Sequence, residues 1–263
     1  MSAPRLRITS ADNPRYRALL KLHQSSRERR KTGHSLLDGV HLVAAYLEHA
    51  GAPLEIVVSA SRSDNDEIAA LVERARVEPL ELSDGLFGEL SPVTTPTGIL
   101  AVIKTPDPGA IPAAPGPCVM LEDIQDPGNL GSILRSAAAA GIEEIYLSPR
   151  CVQAWSPRVL RAGMGAHFAL RVYEQVALDR LAAAYPGIVL ATARNAAMPL
   201  FSVDLRGRVA FLFGNEGAGL TPELSSAAHH TVSIPMPGAV ESLNVAAAAA
   251  VCLFERVRQS TQR

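Results

Sequence analysis

Three short stretches of the chain set amide, carboxylate and guanidinium side chains among glycines, each close behind an apolar run. The first is Leu121-Glu-Asp-Ile-Gln-Asp-Pro-Gly-Asn-Leu-Gly-Ser-Ile-Leu-Arg-Ser136. Asp126-Pro-Gly forms a turn, and Asn129 is the expected N-cap of the helix that follows. Arg135 lies nearly two turns further on and is expected on roughly the same side as Asn129. A guanidinium in a helix of small apolar residues is either a surface ion pair or a functional group, because burying an unpaired charge is costly.

The second stretch, Phe211-Leu-Phe-Gly-Asn-Glu-Gly-Ala-Gly219, ends a strand in a glycine-rich turn carrying Asn215 and Glu216. Glycines let a ligand or another backbone come close. The turn lacks the Lys-Ser/Thr of a Walker A loop, and Glu216 would repel phosphate. The third is Ile234-Pro-Met-Pro-Gly-Ala-Val-Glu-Ser-Leu-Asn-Val-Ala-Ala-Ala-Ala-Ala250. Pro235 and Pro237 forbid a regular ladder and Gly238 permits a bend. An Ala-rich helix then runs from Leu243 to about Arg258, with Ser242 at its expected N-cap. The loop so delivers Glu241, Ser242 and Asn244 to a helix start, where anions are also held. The alanines 246–250 imply a close-packed neighbour.

The elements that must position these groups alternate. Strands fit Val119–Glu122, Glu144–Leu147, Phe168–Val172, Ile188–Ala193, Val209–Phe213 and Val232–Ile234. Helices fit Leu130–Ala140, Pro157–Gly163, Ala177–Ala184, Pro222–Ala227 and the last Ala-rich run. Such alternation predicts an α/β domain over 118–263, with a mostly parallel sheet covered on both faces and ligands beyond its strands' carboxyl ends. Residues 105–117 hold five prolines and two glycines and read as a semi-rigid linker. Before it, 32–104 reads as a small α/β domain, with one helix over Ser35–Ala50, strands at Leu54–Ser59, Leu80–Leu82 and Gly98–Ile103, and a helix capped by Asp64. Residues 1–31 read as a basic arm with a helix from about Pro14.

That arm holds nine Lys/Arg against Asp12 and Glu28, a formal +7; with −1 overall, the remainder carries −8. A basic segment on an acidic body suits a polyanion, although a solvated helix would also carry such charge. Apolar residues make up 48% and charged residues 19%, enough to build a core. Cys118, Cys151 and Cys252 are too few and too scattered for a disulfide framework or a zinc site, and no histidine spacing suggests a metal. No signal peptide and no bilayer-spanning run are expected, so the reading is a cytoplasmic chain without membrane or metal partners.

The order Asn129…Arg135, then Phe213-Gly-Asn-Glu-Gly-Ala-Gly219, then Ile234-Pro-Met-Pro-Gly-Ala-Val-Glu-Ser-Leu-Asn-Val-Ala-Ala248 resembles the three motifs of the SpoU (TrmH) family of RNA ribose 2′-O-methyltransferases. The resemblance covers residues 118–258. Ser156-Pro-Arg-Val-Leu-Arg-Ala-Gly-Met-Gly-Ala-His-Phe168 is similar to that family's middle region. Asn13-Pro, Arg30-Lys-Thr-Gly and Asp38-Gly-Val-His-Leu-Val are similar to the RNA-substrate-binding domain that precedes many members; Asp38 stands where that domain more often has Glu.

The resemblance implies a trefoil-knotted sheet, a homodimer with its active site shared across the interface, and S-adenosylmethionine as cofactor. It implies Thr192, Gly214, Ile234, Met236 and Leu243 along the cofactor pocket. Asn129, Arg135, Glu216, Ser242 and Asn244 become the catalytic group, with Glu216 holding either Arg135 or Asn244. Arg15, Arg17, Arg27, Arg29, Arg30 and Lys31 become RNA contacts. The expected substrate is RNA, with ribosomal RNA favoured over tRNA because the extra front domain typifies members that modify it. Trp155 either stacks on a base or packs at the dimer interface. The competing readings are a non-catalytic RNA-binding protein on the same fold, opposed by the intact motifs, and a dinucleotide enzyme, opposed by the missing GxGxxG-to-acid pattern.

Overall fold

The computed structural model describes residues 6–261, so Arg5 of the expected basic arm lies outside the described residues. The chain divides into two compact units. One comprises residues up to Pro106 together with Trp155–Phe168, and the other Asp107–Ala154 with Ala169 onwards.

In the first unit, β1 (Arg7–Ile8) leads to α1 (Pro14–Gln24) and α2 (Ser26–Thr32). Then follow β2 (His34–Asp38), α3 (Val40–His49), β3 (Glu55–Ser59), α4 (Asp66–Ala75), β4 (Leu80–Leu82), α5 (Asp84–Leu90) and β5 (Ile99–Lys104). The sheet order is β1-β4-β3-β5-β2, with β5 antiparallel to both its neighbours. The single helix expected over Ser35–Ala50 is in fact a strand and a helix. His34–Asp38 pairs with Leu100–Lys104, and Gly39 at φ 103° makes a break that no helix can contain. The apolar residues on either side of that glycine match a helical period only by coincidence. Asn65, not Asp64, caps α4.

The basic arm is no free arm. Tyr16, Leu19 and Leu22 of α1 are buried with Leu36, Val57, Leu82 and Phe87 in one apolar cluster. The Tyr16 hydroxyl donates to Glu89 at 2.6 Å. Arg29 turns inward: only 5% exposed, it donates to the carbonyls of Leu22 (2.6 Å) and His23 (3.0 Å), satisfying the end of α1. Arg15 pairs with Glu55, and Arg17 with Asp12. Arg27, Arg30 and Lys31 are exposed. Trp155, 4% exposed and 5.1 Å from the His167 ring, is an interior residue and offers no stacking face.

The second unit carries β6 (Cys118–Leu121), α6 (Pro127–Ala139) and β7 (Glu144–Leu147). The chain then contributes α7 (Pro157–Gly163) to the first unit and returns with β8 (Arg171–Tyr173) and α8 (Leu178–Ala184). It continues through β9 (Ile188–Thr192), β10 (Met198–Pro199), β11 (Val209–Phe213), α9 (Pro222–Ser226), β12 (His230–Ser233) and α10 (Val245–Thr261). The seven strands are all parallel, in the order β10-β12-β9-β11-β6-β7-β8. β6, β7 and β11 are buried along their whole length, as expected of parallel strands covered on both faces. The Pro-rich segment is tied to this unit rather than hanging between domains: Tyr173 donates to the carbonyls of Pro108 and Ala110, and Tyr185 to that of Gly116 at 2.8 Å. No helix among the described residues is long and apolar enough to cross a membrane.

The inward turn of Arg29 has a measurable cost. Arg29→Ala should lower the unfolding free energy by about 1–3 kcal/mol, because two carbonyls lose a charged donor. Arg30→Ala should stay within about 0.5 kcal/mol. Urea denaturation of the two variants compares them directly; equal losses would contradict the structural role of Arg29.

Candidate active site

The three chemistry-bearing stretches meet at the carboxyl ends of β9, β11 and β12, around a cleft of about 620 Å³. Ala191, Phe213, Leu220 and Val232 give it an apolar wall. Thr192, Gly214, Ile234, Met236 and Leu243 all line it, as do Asn129, Glu216, Ser242 and Asn244. Arg135 does not. Six residues at about 100° each carry it some 240° round the helix from Asn129, so the two share no face. Arg135 is exposed on α6.

Local capping explains how the amides are freed for this site. Asp126, not Asn129, caps α6, its carboxylate accepting from the Asn129 N–H at 2.7 Å. Asn129 thus sits in the first turn with its side chain uncommitted to its own helix. At the other helix, Asn244 takes the cap expected of Ser242, accepting from the N–H groups of Ala246 (2.9 Å) and Ala247 (3.3 Å). Ser242 stays in the loop at the cleft. Ala246 and Ala249 are buried where α10 packs against α6.

The amides then join. Asn244 Nδ2 donates to Asn129 Oδ1 at 2.8 Å, and Asn129 Nδ2 donates to Glu216 Oε1 at 3.0 Å. Glu216 therefore holds Asn129 directly and reaches Asn244 only through it; neither of the two partners expected for Glu216 is its direct partner. The Asp126 N–H also donates to Glu216, at 3.3 Å. Burial alone would push the Glu216 carboxyl up. Hydrogen bonds from the Asn129 side chain and from the backbone N–H groups of Glu216, Asp126 and Gln125 outweigh burial and hold its pKa below the ordinary value.

The glycine-rich turn is braced by a residue to which sequence reasoning gave no role. Asn215 Nδ2 donates to the Asp123 carbonyl at 2.9 Å, while its Oδ1 accepts from the N–H groups of Gly217 and Ala218, both at 3.0 Å. Its backbone closes a two-bond bridge with Gly219. Gly214 is obligatory there: a Cβ would lie 2.3 Å from the Gly219 carbonyl carbon and 2.4 Å from the Leu220 nitrogen. Arg194, in the turn after β9, was also missed. Its place just past a strand's carboxyl end was the available signal. Arg194 and Glu216 are the charged residues lining the cleft among the described residues.

A parallel sheet with this cleft beyond its strand ends places the second unit among α/β domains that hold a ligand there. Residues 116–254 match the model of the SpoU rRNA Methylase family, and residues 13–101 match an MRM3-like substrate binding domain. The chain belongs to the SpoU rRNA Methylase family. It is 32% identical over 251 residues to the Bacillus subtilis 23S rRNA (guanosine(2553)-2'-O)-methyltransferase RlmP, covering 94% of this chain and 97% of that one. A crystal structure of an RNA 2'-O ribose methyltransferase superposes with a TM-score of 0.82 at 32% identity, covering 97% of this chain and 99% of the other. The SpoU methyltransferase AviRb from Streptomyces viridochromogenes, in complex with AdoMet, superposes with a TM-score of 0.81 at 26% identity, covering 94% and 98%.

Because the Glu216 pKa lies below its ordinary 4.5, the stabilisation it contributes is complete above that value and is lost as pH falls through the folded-state pKa. The melting-temperature gap between wild type and Glu216→Gln should therefore shrink as pH drops below 4.5. Thermal melts across pH 3–7 (a range set to bracket ordinary carboxylate values) measure that gap; a constant one would show that the ionised carboxylate is not what holds the loops.

Proposed function

We propose that this chain transfers a methyl group from S-adenosylmethionine to a ribose 2′-hydroxyl of RNA, with ribosomal RNA as the substrate. The observation that carries the reading is the relay of Asn244, Asn129 and Glu216, which joins the three loops around one cleft. The family membership and the ribosomal-RNA methyltransferase matched along nearly the whole chain support it. The tRNA alternative is favoured by no feature of the site.

The cleft fits the cofactor in size and character. About 620 Å³ lies within the range for such ligands, and a mixed lining, with Ala191, Phe213, Leu220 and Val232 beside many polar side chains, offers an adenosine both an apolar face and hydrogen-bonding partners. Thr192, Gly214, Ile234, Met236 and Leu243 would hold it. The Thr192 hydroxyl is committed to the Leu212 carbonyl at 3.1 Å, which leaves its backbone for the ligand. When bound, S-adenosylmethionine supplies an electrophilic methyl on a sulfonium whose charge disperses as the methyl leaves.

What remains for the protein is alignment. Asn129, with one amide end anchored by Glu216 and the other by Asn244, is the group fixed to hold sugar or phosphate oxygens. Ser242 sits in the cleft beside it. Arg135 clamps the neighbouring phosphate and eases loss of the hydroxyl proton by charge, since arginine does not itself give up its proton. It stands outside the cleft of its own chain, so the reading requires a homodimer in which a second copy presents it. The trefoil-knotted path of the chain and a cytoplasmic location belong to the same reading. The first unit recruits RNA through exposed Arg27, Arg30 and Lys31, with Arg15 and Arg17 in support. Arg29, being buried, is withdrawn from that set.

Tritiated methyl transfer from S-adenosylmethionine to total RNA of a host lacking this protein should label ribosomal RNA. Arg135→Ala should lose transfer by about 10²-fold while binding S-adenosylhomocysteine unchanged; undiminished turnover would contradict its role. Replacing Arg27, Arg30 and Lys31 together by Ala should flatten the slope of log affinity against log salt by about 2–3. An unaltered slope would remove this surface from RNA binding.

A further inference from the structure

The cleft needs a partner for one feature of its ligand that the motifs leave unassigned. S-adenosylmethionine ends in an amino acid whose carboxylate carries a full negative charge. Among the described residues lining the cleft, Arg194 is the one cation. It follows β9 directly, two residues beyond Thr192, in a turn whose backbone is fixed because Ser233 Oγ donates to the Ala196 carbonyl at 2.9 Å. Its guanidinium already faces a carboxylate: Arg194 Nη1 lies 3.8 Å from Glu241 Oε2. Glu241 belongs to the Pro-rich loop that carries Met236, Ser242 and Leu243 to the same cleft. Its side chain is 92% exposed, so nothing but this loose contact directs it there.

We propose that Arg194 recognises the carboxylate of the cofactor's amino-acid tail, and that Glu241 occupies the guanidinium until that carboxylate displaces it. The chemistry is an exchange of like for like. At 3.8 Å the present pair is an ion pair without a close hydrogen bond, which exposed groups hold weakly. A carboxylate delivered from inside the cleft can instead take the guanidinium's paired donors side by side, the stronger geometry. Released Glu241 leaves the loop free to settle over the bound tail. Glu216, the other charge at the cleft, is committed to Asn129 and Asp126 and repels a carboxylate, so the tail is steered towards the Arg194 side.

The inference rests on the cofactor reading above, and two ligands separate the two. S-adenosylhomocysteine carries the amino-acid tail; 5′-methylthioadenosine carries the same adenosine without it. Calorimetric titration of the wild-type chain with S-adenosylhomocysteine tests the reading itself, and no binding would overturn both. With binding established, Arg194→Ala should raise the Kd of S-adenosylhomocysteine about tenfold and leave that of methylthioadenosine within twofold. Glu241→Gln should lower the first Kd two- to threefold and leave the second unchanged, because a competing charge is gone. An Arg194→Ala effect that is equal for both ligands, or absent from both, would overturn the carboxylate role while leaving the cofactor reading in place. Glu241→Gln without any gain would overturn the exchange. Both residues are exposed, so circular dichroism should show each variant folded as the wild type is.

Discussion

A side-chain amide can donate and accept at once, and two of them in series hold together three loops that lie 87 and 115 residues apart along the chain. The direction of this relay is fixed at both ends. At one end the N–H groups of Ala246 and Ala247 can only donate; at the other, the Glu216 carboxylate can only accept. Asn244 and Asn129 therefore each have one orientation that satisfies every partner. An aspartate at either place would set a carboxylate against an oxygen acceptor, and an alanine would leave a gap. The residue types thus follow from the sense of the hydrogen bonds, and a chain of this kind polarises its own members.

The relay depends on work done elsewhere in the loops. Asp126 takes over the capping of α6, which frees the Asn129 side chain to look outward. Asn215 ties the glycine-rich turn to the Asp123 carbonyl and to its own following N–H groups, so Glu216 is presented by a braced loop. Gly214 lets the backbone of Gly219 and Leu220 pack against it, in space that a Cβ at that position would occupy. The parallel sheet beneath supplies the frame: the loops carrying Asn129 and Glu216 follow β6 and β11, which are buried along their whole length.

The sequence was most readable where one physical rule acted alone. Pro235, Pro237 and Gly238 marked an irregular loop, and the alanines after it marked a helix that packs closely, as Ala246 and Ala249 do. It was least readable where two rules compete. Several capping residues stand near each helix start, and residue type alone does not choose between Asp126 and Asn129 or between Asn244 and Ser242; the caps that form are Asp126 and Asn244. Leu36 and Leu37 fit a helix or a strand equally well, and it is pairing with β5 that decides. Arg29 looks like its neighbours Arg27 and Arg30 in sequence; that it faces the carbonyls of Leu22 and His23 is a consequence of the turn between α1 and α2. Arg135 was misplaced for a simpler reason, because six residues do not return a helix to the same face.

The state of Glu216 limits what chemistry it can do. Its pKa is held below the ordinary carboxylate value, so at neutral pH it is ionised and has no proton to give. The hydrogen bonds that lower that pKa also make it a weaker base, and one oxygen is already shared between Asn129 and the Asp126 N–H. A group so engaged serves better as an anchor than as a carrier of protons. Ionisation is what the anchor needs, because a carboxylic acid would present a donor to one of the donors now aimed at it. The charge is thus part of the scaffold, and the alignment of Asn129 rests on it.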